Sequence, residues 1–197
     1  MDTVHIALHN HAPTFLINGK PDTGLMLYFD PMENDRGTVS DFAAAGIDLS
    51  ACGVGSVGIL QPDGSLDFSK VDAKMHLILS KNPRIRINNR ISLTPSEWWF
   101  EKHTGEKSVH YDPYLDQNVA AEHASVSPSS QQWRKDFAPV LAALITHLER
   151  HYNEHFLSYQ ICSGDCGMEL RMAALHAKRL LRGAVSRIPP LARRAPS

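Results

Sequence analysis

Strand-length apolar runs alternate with helix-period segments along most of the chain, and this constrains its fold more than any other feature. Gly24–Phe29 is a strand-length run, followed by Thr38–Ala45 as a short helix with hydroxyl capping residues in front and Gly46 where a helix stops. Ile47–Val54 is the next strand. The turn residues Gln61–Ser65 lead to a helix opening at Ser69, whose Val71, Met75, Ile78 and Leu79 fit a 3.6 period and which stops before Asn82-Pro83. Arg84–Leu93 alternates basic or polar with apolar residues, the period-2 mark of a strand. Ser129–Tyr152 places Trp133, Phe137, Val140, Leu141, Leu144, Ile145 and Leu148 on one stripe, with a kink expected at Pro139, and Phe156–Cys162 returns as a strand. Before the first unit, Thr14–Ile17 and Gly24–Phe29 flank Asn18-Gly19-Lys20-Pro21, a hairpin signal. The predicted order is β, βα, βα, βα, β after a polar lead-in at 1–12. Such alternation means parallel strands joined by right-handed crossovers, as an open doubly wound sheet or an eightfold barrel.

Gly53-Val54-Gly55-Ser56-Val57-Gly58 matches the letters of a dinucleotide-binding turn, but no helix-forming run follows it, and a pyrophosphate needs a helix N-terminus. A glycine-rich loop is the expected outcome, with no cofactor. The segment Thr94–Ser130, at roughly 35 residues, exceeds an ordinary connection and points to a functional loop.

Phe15-Leu16-Ile17-Asn18-Gly19-Lys20-Pro21, Asp41–Asp48, Gly64–Asp72 and Arg90–Leu93 followed by Pro95-Ser96-Glu97-Trp98-Trp99 together resemble the N-terminal half of a β-galactosidase-type retaining glycoside hydrolase, the family 42 kind. The resemblance spans about residues 13–165. It implies an α/β fold, the first four β/α units of a (β/α)8 barrel over 13–166, acting on O-glycosidic bonds in carbohydrate metabolism. It further implies an acid/base carboxylate after strand four and a nucleophile after strand seven. Retention needs the two groups about 5–5.5 Å apart. Such a barrel takes about 250 residues, so the strand-seven nucleophile is missing from the four strands read, and the chain is expected to be incomplete and inactive alone. Glu169 is the one acid/base candidate, and Leu170 stands after it where the family has tryptophan.

Residues 167–197 differ in kind. They carry seven Lys/Arg and only Glu169 as an acid, whereas the remainder has 13 basic and 20 acidic side chains. Methionine has one codon, ATG, and Met168 and Met172 precede Glu169 and Ala173, whose codons begin with G. A frame shifted forward by one base therefore reads Trp at both places, and Glu before the second if Arg171 is AGA or CGA. Out-of-frame translation after Cys166–Met168 is the favoured reading of this basic tail; the alternative is an amphipathic helix lined by Leu175, Leu180, Leu181 and Val185.

For substrate contact the candidates are Arg90 and Asn89 at the end of strand three, Trp98 and Trp99 as a flat platform for a sugar ring, and Asp30 at the start of a loop. Against these stand a strand-end salt bridge for Arg90, a loop anchor for one tryptophan, and turn chemistry for Asp30-Pro31. His5, His9 and His11 cluster, and His147, His151 and His155 recur every four residues, but without H-E-x-x-H a solvated helical face is expected and no metal.

With a net charge of −1, nothing supports nucleic acid or an anionic membrane as the main partner, and neither is expected. No run reaches the ~18 apolar residues of a membrane span, and no leader is read at the start. Three cysteines do not form a disulfide framework, so a cytoplasmic compartment is expected. Carbohydrate is the expected partner, with self-association through the open edges of a half barrel, apolar on both faces. A non-catalytic carbohydrate- or partner-binding protein is the alternative.

Overall fold

The structure, a computed structural model, describes residues 3–29, 37–55, 58–112, 115–120, 126, 127 and 129–162. It begins with a three-stranded antiparallel sheet: β1 (Val4–His9), β2 (Ala12–Ile17) and β3 (Lys20–Asp22). The predicted polar lead-in is thus largely strand β1, its Ile6 opposite Phe15. Both connections are two-residue loops with positive φ, at Asn10 and His11 (50° and 63°) and at Asn18 and Gly19 (52° and 75°), the mirror-image turns whose twist suits a hairpin. So tight a loop pairs the flanking residues at once. The Asn-Gly signal was sound but its second strand is Lys20–Asp22, with Ile17 opposite Lys20, and not Gly24–Phe29. Gly24, at φ 67°, ends the hairpin instead.

The chain then enters a four-stranded parallel sheet, β4 (Leu27–Tyr28), β5 (Leu49–Cys52), β6 (Arg86–Ser92) and β9 (Phe156–Cys162), hydrogen-bonded in that order. The crossovers hold α1 (Thr38–Ala44), α2 (Ser69–Lys81) and α4 (Gln131–Tyr152). Between β6 and α4 lie α3 (Glu97–Lys102), a 3-10 turn at Thr104–Glu106 and the hairpin β7 (Val109–Asp112)–β8 (Gln117–Ala120), so the long polar segment has structure of its own.

Local chemistry explains most boundaries. Gly37, not a hydroxyl residue, precedes α1, and no side chain caps it. Asp67 accepts the Ser69 N–H at 2.8 Å at the start of α2, and Ser130 Oγ accepts from the Trp133 N–H at 2.9 Å at the start of α4. α4 runs unbroken through Pro139. β5 is shorter than the Ile47–Val54 predicted because the Asn89 side chain replaces backbone pairing beyond Cys52.

Strand order that follows chain order, with right-handed crossovers, sends every helix to the same side of the sheet. Val39 of α1, Val71, Met75 and Ile78 of α2, and Phe137, Val140, Leu144 and Leu148 of α4 all join one core with Leu27, Cys52, Ile87 and Ile91. A doubly wound sheet would divide its helices between two faces. The opposite face carries the buried Leu49 beside Arg86 at its N-terminal end and, beyond them, Tyr28, Ala51, Asn88, Arg90, Ser158 and Gln160, set by register and period-2 alternation. It is therefore mostly polar, contrary to the expectation of apolar residues on both faces. No helix among the described residues is long and apolar enough to cross a membrane.

Candidate functional site

The C-terminal ends of the four parallel strands form one edge, where sheets of this kind place ligands. On the uncovered face near that edge, Tyr28 of β4 reaches Arg90 of β6 across β5. Two strand spacings span about 9.6 Å, and the residue between them is Ala51, small enough to leave the way open. The Arg90 guanidinium lies over the Tyr28 ring, 4.8 Å from its centroid, and its Nη1 donates to the Tyr28 hydroxyl. Tyr28 is 61% exposed, so the pair faces solvent. One register step down, Ser158 Oγ donates to Asn88 Oδ1 at 3.0 Å. The arrangement can bind: it offers a fixed cationic fork, an aromatic ring and amide and hydroxyl groups, with no acid or base among them.

Asn89 turns to the other face. It is fully buried, accepts the Val54 N–H at 2.8 Å and donates to the Val54 carbonyl at 3.2 Å. Arg90 and Asn89, adjacent in sequence, therefore do not meet at one site.

The two tryptophans also part. Trp99 is 1% exposed, donates Nε1–H to Asp136 Oδ2 at 2.9 Å and packs edge-on against Phe100 and Phe137. It is the anchor of the long segment. Trp98 is half-buried, with Lys102 Nζ 5.0 Å from its ring centroid. Asp30 and Glu169 lie outside the described residues, as does the tail from 167 onward.

The histidine face is not merely solvated. His147 Nε2 lies 2.7 Å from Asp72 Oδ1, which also accepts the Tyr152 hydroxyl at 2.9 Å, while the His147 ring stacks on Phe68 at 4.4 Å. Burial pushes the Asp72 carboxyl up, but the hydrogen bonds from His147 and Tyr152 and the nearby imidazoles outweigh it, leaving the group below its usual range. Burial and the Asp72 carboxylate push the Tyr152 phenol up to about 12. Tyr159 is raised too, by burial and by its 2.6 Å bond to Glu149. No three His, Cys, Asp or Glu among the described residues are grouped to hold a metal ion.

The glycine motif opens on a cavity of about 140 Å³ lined by Gly55, Gly58, Asp67, Lys70 and Lys74. α2 begins beyond the turn at 61–64, and the Asp67 carboxylate already accepts from its first N–H. Hydrogen bonds from Ser69 hold that carboxyl below its usual range. A second anion at this helix start would meet the first, which argues against a pyrophosphate cradle.

Sequence reasoning missed Tyr28. Its signal was an aromatic residue near the end of the first apolar run, two positions before Asp30. Compared with known proteins, the chain matches no family model and no curated protein.

Proposed function

We infer that this chain is a carbohydrate-binding portion of a glycosidase-type (β/α) barrel, with its sugar site at the C-terminal strand edge around Arg90, Tyr28 and Trp98. The observation that carries the reading is the Tyr28–Arg90 pair on the uncovered sheet face at that edge. Strand order following chain order, with the helices on one side, supports the first four units of an eightfold barrel over an open doubly wound sheet. The sequence resemblance to β-galactosidase-type enzymes supplies the substrate class. An exposed aromatic ring packs against sugar C–H groups, and a guanidinium donates to hydroxyls in fixed directions.

A retaining reaction needs two carboxylates about 5–5.5 Å apart. No described residue on the uncovered face supplies one, so binding without turnover is the expected behaviour of this chain. Pairing of two copies through the β4 and β9 edges belongs to the same reading.

Heteronuclear NMR titration with galactose and lactose tests it. Shifts should concentrate at Tyr28, Asn88, Arg90 and Gln160, and Arg90→Ala should weaken binding about tenfold, the loss of a charge-assisted hydrogen bond. A chromogenic galactoside should stay uncleaved. Absence of binding to either sugar by a folded chain would remove the carbohydrate reading, and turnover would remove the non-catalytic one. Sequencing the coding DNA beyond Cys162 in all three forward frames tests the glycosidase parentage: a frame continuing with Glu-Trp and four more β/α units supports it.

A further inference from the structure

We propose that β1 is the docking edge for a second copy of this chain, two β1 strands pairing antiparallel about a two-fold axis that passes at Ile6. The contact lies outside the sugar site and does not depend on the carbohydrate reading.

The two edges of the N-terminal sheet differ. β3, at one edge, consists of Lys20, Pro21 and Asp22 alone, so its shortness, a charge of each sign and a missing N–H blunt it against further pairing. β1, at the other edge, runs Val4-His5-Ile6-Ala7-Leu8-His9, with no proline and no Lys, Arg, Asp or Glu. Among the described residues it pairs with β2 alone. Ile6 is 73% and Leu8 77% exposed, although each stands opposite an apolar residue of β2, Phe15 and Pro13.

Parity decides which backbone groups of β1 face outward. The Thr3 carbonyl accepts the Asn18 N–H at 2.8 Å, and the two-residue turn leaves His9 opposite Ala12, so Thr3, His5, Ala7 and His9 direct their backbone groups toward β2. Val4, Ile6 and Leu8 direct theirs away from the sheet.

That outward set matches itself. With Ile6 opposite Ile6 of the second copy, Val4 meets Leu8 and Leu8 meets Val4, so all three outward residues form pairs that exchange two N–H···O bonds each. Residues opposite one another share a face, so the apolar side of Val4, Ile6 and Leu8 continues across the axis, backed in each copy by Pro13, Phe15 and Ile17. On the other side His5 meets Ala7 and His9 meets Thr3, and no titratable side chain faces another. Moving the axis to Ala7 would instead set His5 against His9 and push Val4 against the turn at Asn10. A two-fold contact requires a surface complementary to itself, which is what commits this edge to a second copy.

Sedimentation equilibrium of the full chain over a concentration series reads the assembly. Ile6→Pro removes only an outward N–H and leaves the β1–β2 ladder its donors, so the dimer dissociation constant should rise at least about tenfold. Ile6→Lys and Ile6→Glu test the register: each should be monomeric alone, because like charges then stand opposite at the axis, and an equimolar mixture of the two should regain the dimer. Protection of the Ala7 amide from hydrogen exchange establishes that a variant keeps its hairpin, and in the wild type exchange at Val4, Ile6 and Leu8 should slow as concentration rises. A wild-type chain that stays monomeric at millimolar concentration would overturn the proposal. An assembly that Ile6→Pro leaves intact would come from another edge and would overturn it equally. A mixture of the Lys and Glu variants that stays monomeric would overturn the register at Ile6.

Discussion

Asn89 closes a two-bond ring on Val54: its amide oxygen accepts the Val54 N–H at 2.8 Å and its amide nitrogen donates to the Val54 carbonyl at 3.2 Å. Both residues are fully buried. One side chain thereby does for β5 what a further backbone pair would do, and it sets the direction in which the glycine loop departs.

Replacing Asn89 by Leu strands both Val54 groups away from water. A loss of about 2–4 kcal/mol is expected, read as a lower urea midpoint, together with faster hydrogen exchange at the Val54 amide. A midpoint unchanged from wild type would mean that the clamp contributes nothing net.

The two adjacent tryptophans should separate cleanly on substitution. Trp99→Ala empties a fully buried site and removes one of the donors to Asp136, which keeps its bond from Gln132, a cost of about 3–5 kcal/mol. Trp98→Ala should stay within about 1 kcal/mol, since that ring is half-buried and its contact with Lys102 is at the surface. Thermal unfolding of the two variants side by side checks this, and equal losses would contradict the division.

Gly55 and Gly64 have nearly the same backbone, φ 85° and 87°, in different surroundings. A Cβ at Gly55 would stand 3.0 Å from Val71 Cγ2 and 3.2 Å from Leu144 Cδ1, whereas at Gly64 it would meet nothing within 4 Å. Gly64→Ala should therefore cost only the left-handed backbone, about 1–2 kcal/mol. Gly55→Ala should cost about 1 kcal/mol more, from overpacking between α2 and α4. Denaturant midpoints that fall together would show that the neighbours move aside freely.

Acid should loosen the seam between α2 and α4. The Asp72 carboxyl titrates lower in the folded chain than in the unfolded one, so its stabilisation is present above the ordinary carboxylate range near pH 4 and is lost as pH falls through its folded value. At the other end the Tyr152 phenol is raised to about 12 against about 10 when unfolded, so the stability it adds is full below pH 10 and lost between pH 10 and 12. Asp72→Asn should flatten the acid limb of a stability–pH profile and lower the Tyr152 titration seen in ultraviolet absorbance. An acid limb unchanged in that variant would assign it to other carboxylates.

Long-period patterns were legible in the chain, and short-range chemistry was less so. α2 and α4 were readable because stripes of residues such as Met75 and Leu144 recur at helical spacing over many turns, and β6 because Ile87, Asn89 and Ile91 alternate with polar residues. β1 is a short alternation, Val4, Ile6 and Leu8 against His5 and His9, whose apolar Ile6 and Leu8 stay exposed, so no buried face marks it as core. The site was half readable. Arg90 lies on an alternating strand whose exposed face can be counted, but Asn89 looks equally polar, and only the register puts it against Val54 instead of solvent. The Tyr28–Arg90 contact spans 62 positions and depends on Ala51 being small, which no local pattern encodes.

Because strand order follows chain order, the parallel sheet can be laid down in the direction of synthesis. β5 and β6 each find their partner in the preceding unit, so a three-stranded layer of β4, β5 and β6 can assemble as its residues leave the ribosome, where folding proceeds from the N-terminus. The last step is of another kind. β9 pairs with β6 across a separation of 70 residues, as between Asn88 and Ser158, so it waits for the long segment and for α4. Loop closure over that distance makes β9 docking the slow event, and until it happens β6 is an open edge at which a nascent chain can meet its neighbours.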